Sequence, residues 1–335
     1  FNDCKNVDSI PDHVRETGLG WLLREAGYET AYGGKQHFPL MNAKDLGFEV
    51  ISRDERDLLP EHCAQFLDRD RDRPFFLAAS FVNPHDVCYM AIRDFAGNAQ
   101  AEKLLSRSET ELRELDAALA LPEGVGREEF FAKVSPPLPP NFEPQEDEPE
   151  AVAAMQAERP FKREARAQWS EERWRMHRWA YARLTERVDG QIARLLAALR
   201  ERGLEENTVV IFTSDHGDMD SAHRMEHKTV LYEEACRVPL LVRAPGTVRP
   251  GGVESRLVSN GLDLVPTVCD YAGAETPDDL RGFSLRPLIE GEGPSGWREW
   301  LPVESDMGAM VVTPESKYVL YDDGASREQL VDRLA

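Results

Sequence analysis

The chain has 335 residues, which is long enough for one large α/β domain, or for a large and a small domain, with an ample core. Its formal net charge of -21, from 61 acidic and 40 basic residues, argues against non-specific binding to nucleic acid or to an acidic membrane, because both need a basic surface. No apolar run approaches a membrane span and no leader is visible, so neither is predicted. A leader further upstream would indicate a periplasmic or secreted protein, and its absence a cytoplasmic one.

The first predicted elements are a helix over residues 16–26, with Gly27 as its C-cap, and a short strand over 28–32. The loop G-G-K-Q-H follows, and its glycines allow the backbone to approach a ligand closely. A second strand is predicted over 74–82 and leads into N-P-H-D. Two strands therefore each deliver a histidine to their ends, His37 and His85.

The stretch from 96 to 178 reads as charged helical segments interrupted by a proline-rich, acidic run over 136–150. Polyproline and acidic residues are poor core formers, so we predict a surface excursion that rims or covers a site. A long amphipathic helix with an apolar stripe from Tyr181 to Leu199 follows, and then a strand over 208–212. This helix-then-strand order predicts a parallel sheet.

The segment 208–232 is the most informative part of the sequence. Its apolar, β-branched run has the composition of a strand buried on both faces, and the run stops at S-D-H-G. Because ligands bind outside the carboxyl ends of strands in open α/β sheets, Asp215 and His216 are placed to hold calcium, manganese or zinc. The alternative is that Asp215 caps a helix and His216 packs in the loop. The same loop holds further candidate ligands, although charged clusters are often solvated: Asp218, Asp220, His223 and His227.

The C-terminal part is predicted to contain a strand over 238–242 and a helix over 262–272. An alternating segment over 317–321 favours an antiparallel strand, with a hairpin turn at 322–324. The cysteines are odd in number and show no C-x-x-C spacing, which suits neither a disulfide framework nor a structural zinc site. We predict free thiols, several of them in the core: Cys4, Cys63, Cys88, Cys236 and Cys269.

Asp215 and His216, at the end of the strand over 208–212, form what we call the Asp215 corner. Four cationic or proton-transferring side chains are expected near it: Lys35, His37, His85 and Lys228. Taken singly, each is more typical of an ordinary loop or surface residue. Taken together, three separate strand ends supply them, and one strand end also offers metal ligands. Such a site in an acidic protein is suited to a tetrahedral anion. We therefore predict a sulfate or phosphate ester as the ligand.

The order of several motifs resembles the type I sulfatases of the alkaline phosphatase superfamily. These motifs are G-Y-E-T-A-Y-G-G-K-Q-H-F, F-V-N-P-H-D, N-T-V-V-I-F-T-S-D-H-G-D-M and K-T-V-L-Y-E-E-A-C-R-V-P-L-L-V-R-A-P-G. The resemblance implies an α/β, alkaline phosphatase-like fold, with a large, mostly parallel sheet sandwiched between helices. It also implies a catalytic domain over 1–305, with the excursion at 96–178, and the start of a small antiparallel subdomain over 306–335.

The resemblance also implies roles for single residues. Asp215 and His216 would be ligands of the divalent cation, usually calcium in this family. Lys35 and Lys228 would contact the sulfate and the nucleophile.

His37 would orient or deprotonate the nucleophile, and His85 would bind the sulfate or protonate the leaving oxygen. Two positions depart from the family pattern: Gln36 replaces a tryptophan and Val87 a proline. Both departures touch the pocket wall and bear on substrate identity more than on chemistry.

The family opens with a strand that carries paired aspartate ligands, followed by a C-x-P-S-R motif whose cysteine becomes the formylglycine nucleophile, and neither feature appears at the front of this sequence. Cys4 precedes K-N-V-D and does not fit that motif. We therefore expect the chain to be a fragment, inactive alone, with the formylglycine formed on a cysteine or serine outside it. Relatives also continue beyond its last residue.

The predicted function is hydrolysis of a sulfate monoester on a carbohydrate or aryl alcohol, with no nucleic-acid partner. One alternative is a phosphodiester or phosphonate monoester hydrolase of the same superfamily, which uses nearly the same residues. The other is a non-catalytic remnant that binds anions without turnover. The sequence leaves the oligomeric state and the exact substrate open.

Overall fold

We analysed a computed structural model that describes residues 10–38, 40–248, 250–305 and 308–321, and the backbone of 327–332. The strands are β1 (Glu29–Gly34), β2 (Glu49–Ser52), β3 (Phe75–Ser80), β4 (Val210–Thr213), β5 (Leu240–Arg243), β6 (Leu301–Ser305), β7 (Gly308–Val312), β8 (Ser316–Tyr321) and β9 (Arg327–Asp332). The α-helices are α1 (Asp12–Glu16), α2 (Leu19–Glu25), α3 (Leu59–Leu67), α4 (Tyr89–Asp94), α5 (Ala99–Leu105), α6 (Glu109–Leu119), α7 (Arg127–Lys133), α8 (Glu150–Glu158), α9 (Pro160–Gln168), α10 (Glu171–Glu201), α11 (Glu233–Cys236), α12 (Asn260–Ala272) and α13 (Arg286–Ile289).

The first sheet is parallel and has the order β2-β1-β3, with β1 in the centre. Its register places Ala31 beside Leu77 of β3 and beside Glu49 of β2. Because parallel strands run in one direction, β1 and β3 end at the same edge of the sheet. The predicted parallel sheet is confirmed here, although β1 begins one residue later than expected and continues to Gly34.

Strand β4 differs from the prediction in its pairing and in its burial. It pairs antiparallel with β5, and no other strand of the described residues lies beside it. Phe212 is 39% exposed and Leu241 of β5 is 63% exposed. The expectation of a parallel strand buried on both faces is therefore wrong for the described residues. Apolar composition indicates the capacity for burial, whereas actual burial depends on the elements that cover a strand.

The C-terminal sheet is antiparallel, with the order β6-β7-β8-β9. Strand β8 alternates as predicted, with Lys317, Val319 and Tyr321 buried and Tyr318 and Leu320 exposed. The antiparallel strand predicted over 317–321 is thus confirmed, and the hairpin turn predicted at 322–324 lies outside the described residues.

The long excursion packs a core of its own against α10, which runs for 31 residues. Phe130, Phe161, Trp169 and Trp174 are all buried in one apolar cluster. The stretch predicted as a surface excursion therefore also has an interior, because the helices that flank its proline-rich run bury aromatic side chains. Among the described residues, no helix combines the length and the hydropathy needed to cross a membrane.

Candidate functional site

The loop after β1 is tied to the end of β3 by a close approach of the two backbones. The amide of Lys35 donates a hydrogen bond to the carbonyl of Ser80, at 2.8 Å. Gly34 has a φ of +95°, and a Cβ at this position would lie 2.0 Å from the Ser80 oxygen. Only glycine fits such a position without strain, so Gly34 fixes where Lys35 leaves the sheet.

The loop after β4 is held by two neighbouring helices. The side-chain amide of Asn260 in α12 donates to the carbonyl of Ser214 at 2.6 Å, and the Ser214 hydroxyl donates to the carbonyl of His216 at 2.7 Å. The amide of Gly217 donates to the carbonyl of Ala235 in α11 at 2.8 Å. These bonds hold Asp215 and His216 in place at the end of the strand.

Lys35 and Asp215 meet across the two strand ends. The Lys35 Nζ lies 3.3 Å from the Asp215 Oδ2, and the lysine side chain is only 18% exposed. Burial alone would raise the pKa of Asp215, but its interactions with His216 and Lys35 outweigh burial and hold the pKa below its ordinary value. Asp215 is therefore an ionised carboxylate available to a cation.

The ring of His216 is oriented for coordination through one nitrogen. Its Nδ1 lies 2.7 Å from the carbonyl oxygen of Gly217, which can only accept, so Nδ1 carries the proton. Burial, together with the charge of Lys228, lowers the pKa of the His216 ring. The bare Nε2 lies 3.6 Å from the Asp215 Oδ2. A carboxylate and a neutral imidazole thus face one point, which suits a divalent cation.

These two donors would have to be completed by further ligands. No group of three or more histidine, cysteine, aspartate or glutamate side chains with the geometry of a metal site occurs among the described residues. Calcium takes six to eight oxygen ligands in typical protein sites. Asp215 and His216 are therefore two candidate donors and do not form a complete metal site with the other described residues.

Lys228 adds a second ammonium to the corner. Burial, together with the charge of Lys35, lowers the pKa of Lys228. Within the described residues its side chain makes no hydrogen bond or ion pair. Lys35 and Lys228 both act on Asp215, and Lys228 also interacts electrostatically with Asp218. Two ammonium groups near one strand end can bind an anionic ligand.

His85 follows β3 and begins a short 3-10 helix, His85–Cys88. Its Nδ1 is buried 3.6 Å from the Asp86 Oδ1, so Nε2 is the nitrogen that remains accessible to a ligand. Asp86 is fully buried and forms an ion pair with Arg56, whose Nη2 lies 2.8 Å from the Asp86 Oδ1 and 2.9 Å from its Oδ2. A buried ion pair therefore anchors the segment that carries His85.

His37, the remaining predicted site residue, has an exposed side chain. It forms no hydrogen bond or ion pair with the part of the chain that the structure describes. The structure thus joins Lys35 directly to Asp215, places Lys228 and His85 in the surrounding electrostatic field, and leaves the role of His37 as a prediction.

Three of the other candidate ligands of the central loop, Asp218, Asp220 and His223, have structural partners. The ring of His227 makes no hydrogen bond with the described residues, and burial, together with the charges of Lys162 and Lys228, lowers its pKa. The Asp218 Oδ1 accepts the backbone amide of Asp220 at 2.9 Å, and the Asp220 Oδ2 accepts the Nε of Arg178 at 3.1 Å. His223 stacks on Tyr232 with ring centroids 4.5 Å apart. These contacts fold the loop, so the side chains are neither freely solvated nor grouped with Asp215.

Sequence reasoning missed two buried charged residues behind the corner. Glu226 is 3% exposed, and Lys162 of α9 is 6% exposed. Burial raises the pKa of Glu226 to about 7, and the charge of Lys162 opposes that rise. A lysine in a charged helix and a glutamate beside a histidine carry no sequence signal of burial, because distant parts of the chain create it.

The cysteines described by the structure are free thiols, as predicted. Cys63, Cys88 and Cys269 are buried, and Cys236 is half-buried. Burial raises the pKa of the Cys88 thiol, which keeps it protonated although Lys228 is near. Cys4 lies outside the described residues. None of the described thiols is therefore activated as a nucleophile.

Sequence comparison identifies related proteins across most of the chain. The family model described as Sulfatase matches residues 4–274. A Delta 4,5-hexuronate-2-O-sulfatase from Bacteroides thetaiotaomicron is 29% identical, in an alignment that covers 95% of this chain. The chain spans 65% of the length of that relative.

Solved structures show the same fold. A 2-O GAG sulfatase superposes with a TM-score of 0.73 at 26% identity, covering 94% of this chain and 66% of its own. The phosphonate monoester hydrolase of Silicibacter pomeroyi superposes with a TM-score of 0.57 at 20% identity, covering 95% of this chain and 74% of its own, and this likeness shows the fold alone. The predicted alkaline phosphatase-like architecture is confirmed.

Proposed function

The chain belongs to the sulfatase family, and we propose that the protein hydrolyses a sulfate monoester, with a carbohydrate sulfate as its substrate and an aryl sulfate as a simpler one. The observation that carries this proposal is the contact between Lys35 and Asp215. It joins an anion-binding ammonium to a cation-binding carboxylate at the strand ends. The names of a hexuronate sulfatase and a GAG sulfatase among the relatives support a sugar as the alcohol.

Sulfatases use a divalent metal and a formylglycine. We assign Asp215 and His216 as two ligands of the metal, because an ionised carboxylate and a bare imidazole nitrogen face the same point. Calcium fits the family and the hard carboxylate, and manganese or zinc would fit the imidazole better. When bound, the cation polarises sulfate oxygens and offsets their negative charge.

The other candidate site residues of the chain would bind the sulfate and transfer protons. Lys35 and Lys228 would hold the sulfate oxygens, since each can donate charge-assisted hydrogen bonds. His85 would donate a proton from Nε2 to the leaving alcohol oxygen, because Nδ1 is buried against Asp86. His37 would orient or deprotonate the nucleophile. The formylglycine would come from a segment outside this sequence, in keeping with the protonated thiols described above.

The second candidate is a phosphodiester or phosphonate monoester hydrolase of the same fold, which the pairing of Asp215 with a histidine also suits. Parallel assays on the full-length protein, with an aryl sulfate and an aryl phosphodiester of the same alcohol, separate the two. We expect a higher kcat/KM for the sulfate. A strong preference for the phosphodiester would overturn the assignment.

A further inference from the structure

A cavity of about 710 Å³ opens beside the loop that carries Lys35. Gly34 and Gln36, the neighbours of Lys35 in the chain, both line it. The opposite wall is formed by β2 and the segment that follows it, with Arg53 and Glu55. Ligand pockets commonly measure about 300–1,000 Å³, so the cavity has room for a sugar unit.

Several side-chain hydrogen-bond donors in the lining of this cavity have no partner among the described residues. Lys44 and Arg53 are both exposed at the cavity, and their side chains make no hydrogen bond or ion pair with the described residues. The Oε1 of Gln36 accepts the backbone amide of Ala43 at 2.8 Å, which leaves its NH2 group without a partner in the same ranges. Arg56, by contrast, lies close in sequence and is fully engaged by Asp86. In a chain of net charge -21, this cavity is lined by two cations, Lys44 and Arg53, and by one carboxyl group, that of Glu55.

Glu55 connects this cavity to the Lys35 corner. Burial raises the pKa of its carboxyl, and the charges of Arg56, Lys35 and His85 act against that rise. Glu55 thus lines the cavity and lies within the electrostatic field of Lys35 and His85. Because Gly34 and Gln36 flank Lys35 in the chain and both line the cavity, the alcohol part of an ester whose sulfate lies at Lys35 could extend into it.

We propose that this cavity binds the alcohol part of the substrate, and that Lys44 and Arg53 select a sugar sulfate carrying a second anionic group, either a carboxylate or another sulfate. The inference rests on the proposed function, because the sulfate at Lys35 sets the direction of the sugar. Gln36 would add a neutral donor to a sugar hydroxyl. Substrate specificity would then arise because only a dianionic sugar satisfies the free hydrogen-bond donors of Lys44 and Arg53.

Binding measured by calorimetry at low salt tests this inference. The probes are glucose 6-sulfate, glucuronic acid 2-sulfate, glucosamine N,6-disulfate and unsulfated glucuronate. We expect both dianionic sugars to bind about tenfold more tightly than glucose 6-sulfate, since each exposed charge pair contributes modestly. In the double variant Lys44→Met/Arg53→Gln, this advantage should fall to about twofold or less.

The double variant Lys103→Met/Arg107→Gln is the matched control, because it removes two exposed cations from the excursion. It should keep the full advantage, and the melting temperature of each variant checks that the fold is intact. An advantage confined to one dianion supports the subsite and identifies its anion. Equal binding of glucose 6-sulfate and the dianions, or an advantage that survives Lys44→Met/Arg53→Gln, overturns it.

The unsulfated probe separates this inference from the proposed function. Binding of glucuronate that depends on Lys44 and Arg53, without binding of glucose 6-sulfate, supports the subsite and contradicts the sulfatase assignment. Binding of glucose 6-sulfate without any gain from a second anion contradicts only the subsite. Failure of all four probes to bind contradicts both.

Discussion

Lys35 and Asp215 are 180 positions apart in the sequence, and their side chains meet at 3.3 Å. The contact forms because β1 ends against the last residue of β3, and because the loop after β4 is fixed by α11 and α12. It brings a cation and an anion to one point, and Lys228 is a second ammonium group that acts on Asp215. The proposed function places a metal on Asp215 and an anionic ester on the two lysines at this point.

The metal assignment predicts that Asp215→Asn weakens calcium binding. Replacing the carboxylate by an amide removes a full negative charge from the site, so the dissociation constant for calcium should rise about tenfold or more. Titration calorimetry with calcium measures this effect. Asp189→Asn, at an exposed position of α10, is the control and should leave calcium binding unchanged. Equal affinities of the wild type and Asp215→Asn would remove Asp215 from the metal site.

The buried ion pair between Arg56 and Asp86 predicts that replacing Arg56 lowers the stability of the fold by a large amount. Sequence reasoning did not identify Arg56. Arg56→Met leaves a fully buried carboxylate without its partner, which should cost about 3–5 kcal/mol in the free energy of unfolding. Urea denaturation measures it. Adding Asp86→Asn should restore part of the loss, because the unpaired charge is then gone.

The control for Arg56→Met is Arg127→Met, which breaks a pair between Arg127 and Glu172 whose side chains are 68% and 51% exposed. That change should cost less than about 1 kcal/mol. Similar costs for the two variants would contradict the claim that Asp86 depends on Arg56.

The buried carboxyl of Glu226 predicts a pH-dependent stability. Its pKa is raised from 4.5 to about 7 by burial, so the folded protein keeps this proton after the unfolded chain has lost it. Stability contributed by this group therefore falls as the pH rises from about 4.5 to 7. Glu226→Gln should be more stable than the wild type at pH 8, by on the order of 3 kcal/mol, and equally stable near pH 4.5.

Unfolding by urea at both pH values checks the Glu226 prediction. Glu201→Gln, on the exposed surface of α10, is the control and should shift stability by less than about 0.5 kcal/mol at either pH. A variant Glu226→Gln that is less stable than the wild type at pH 8 would show that the ionised carboxylate is favourably paired.

The close approach at Gly34 predicts that even a methyl group is not tolerated there. Gly34→Ala places a Cβ 2.0 Å from the Ser80 oxygen at a positive φ, so the variant should lose about 3 kcal/mol of stability. Gly190→Ala is the matched change inside α10, where a Cβ meets open space, and it should gain about 1 kcal/mol. Thermal unfolding compares the two, and a neutral Gly34→Ala would contradict the backbone contact.

Local sequence patterns predicted the elements that set up the site. The glycines at the end of β1 and the apolar runs of β1 and β3 located both strands within a few residues. The rule that ligands bind at strand ends predicted that Lys35 and Asp215 lie near each other, and their side chains are 3.3 Å apart. The alternating segment of β8 was also recognised, because its period matches one buried and one exposed face.

Local sequence patterns could not predict which charged residues are buried by distant segments of the chain. Glu226, Lys162 and Asp86 are ordinary charged residues in the sequence, and only the packing of the excursion and of Arg56 against them removes them from water. The pairing of β4 with β5 was missed for a related reason. An apolar run does not specify the direction or the identity of its partner strand.

The proposal that this corner binds and cleaves a sulfate ester is tested most directly by steady-state kinetics of the full-length protein and its Lys228→Met variant with an aryl sulfate. Loss of one preorganised cation should lower kcat/KM by about 100- to 1,000-fold. The control Lys103→Met, at an exposed position of α5, should retain wild-type activity. A Lys228→Met variant with unchanged kcat/KM, or a wild-type protein that releases no sulfate while it cleaves the matching phosphodiester, would contradict the proposal.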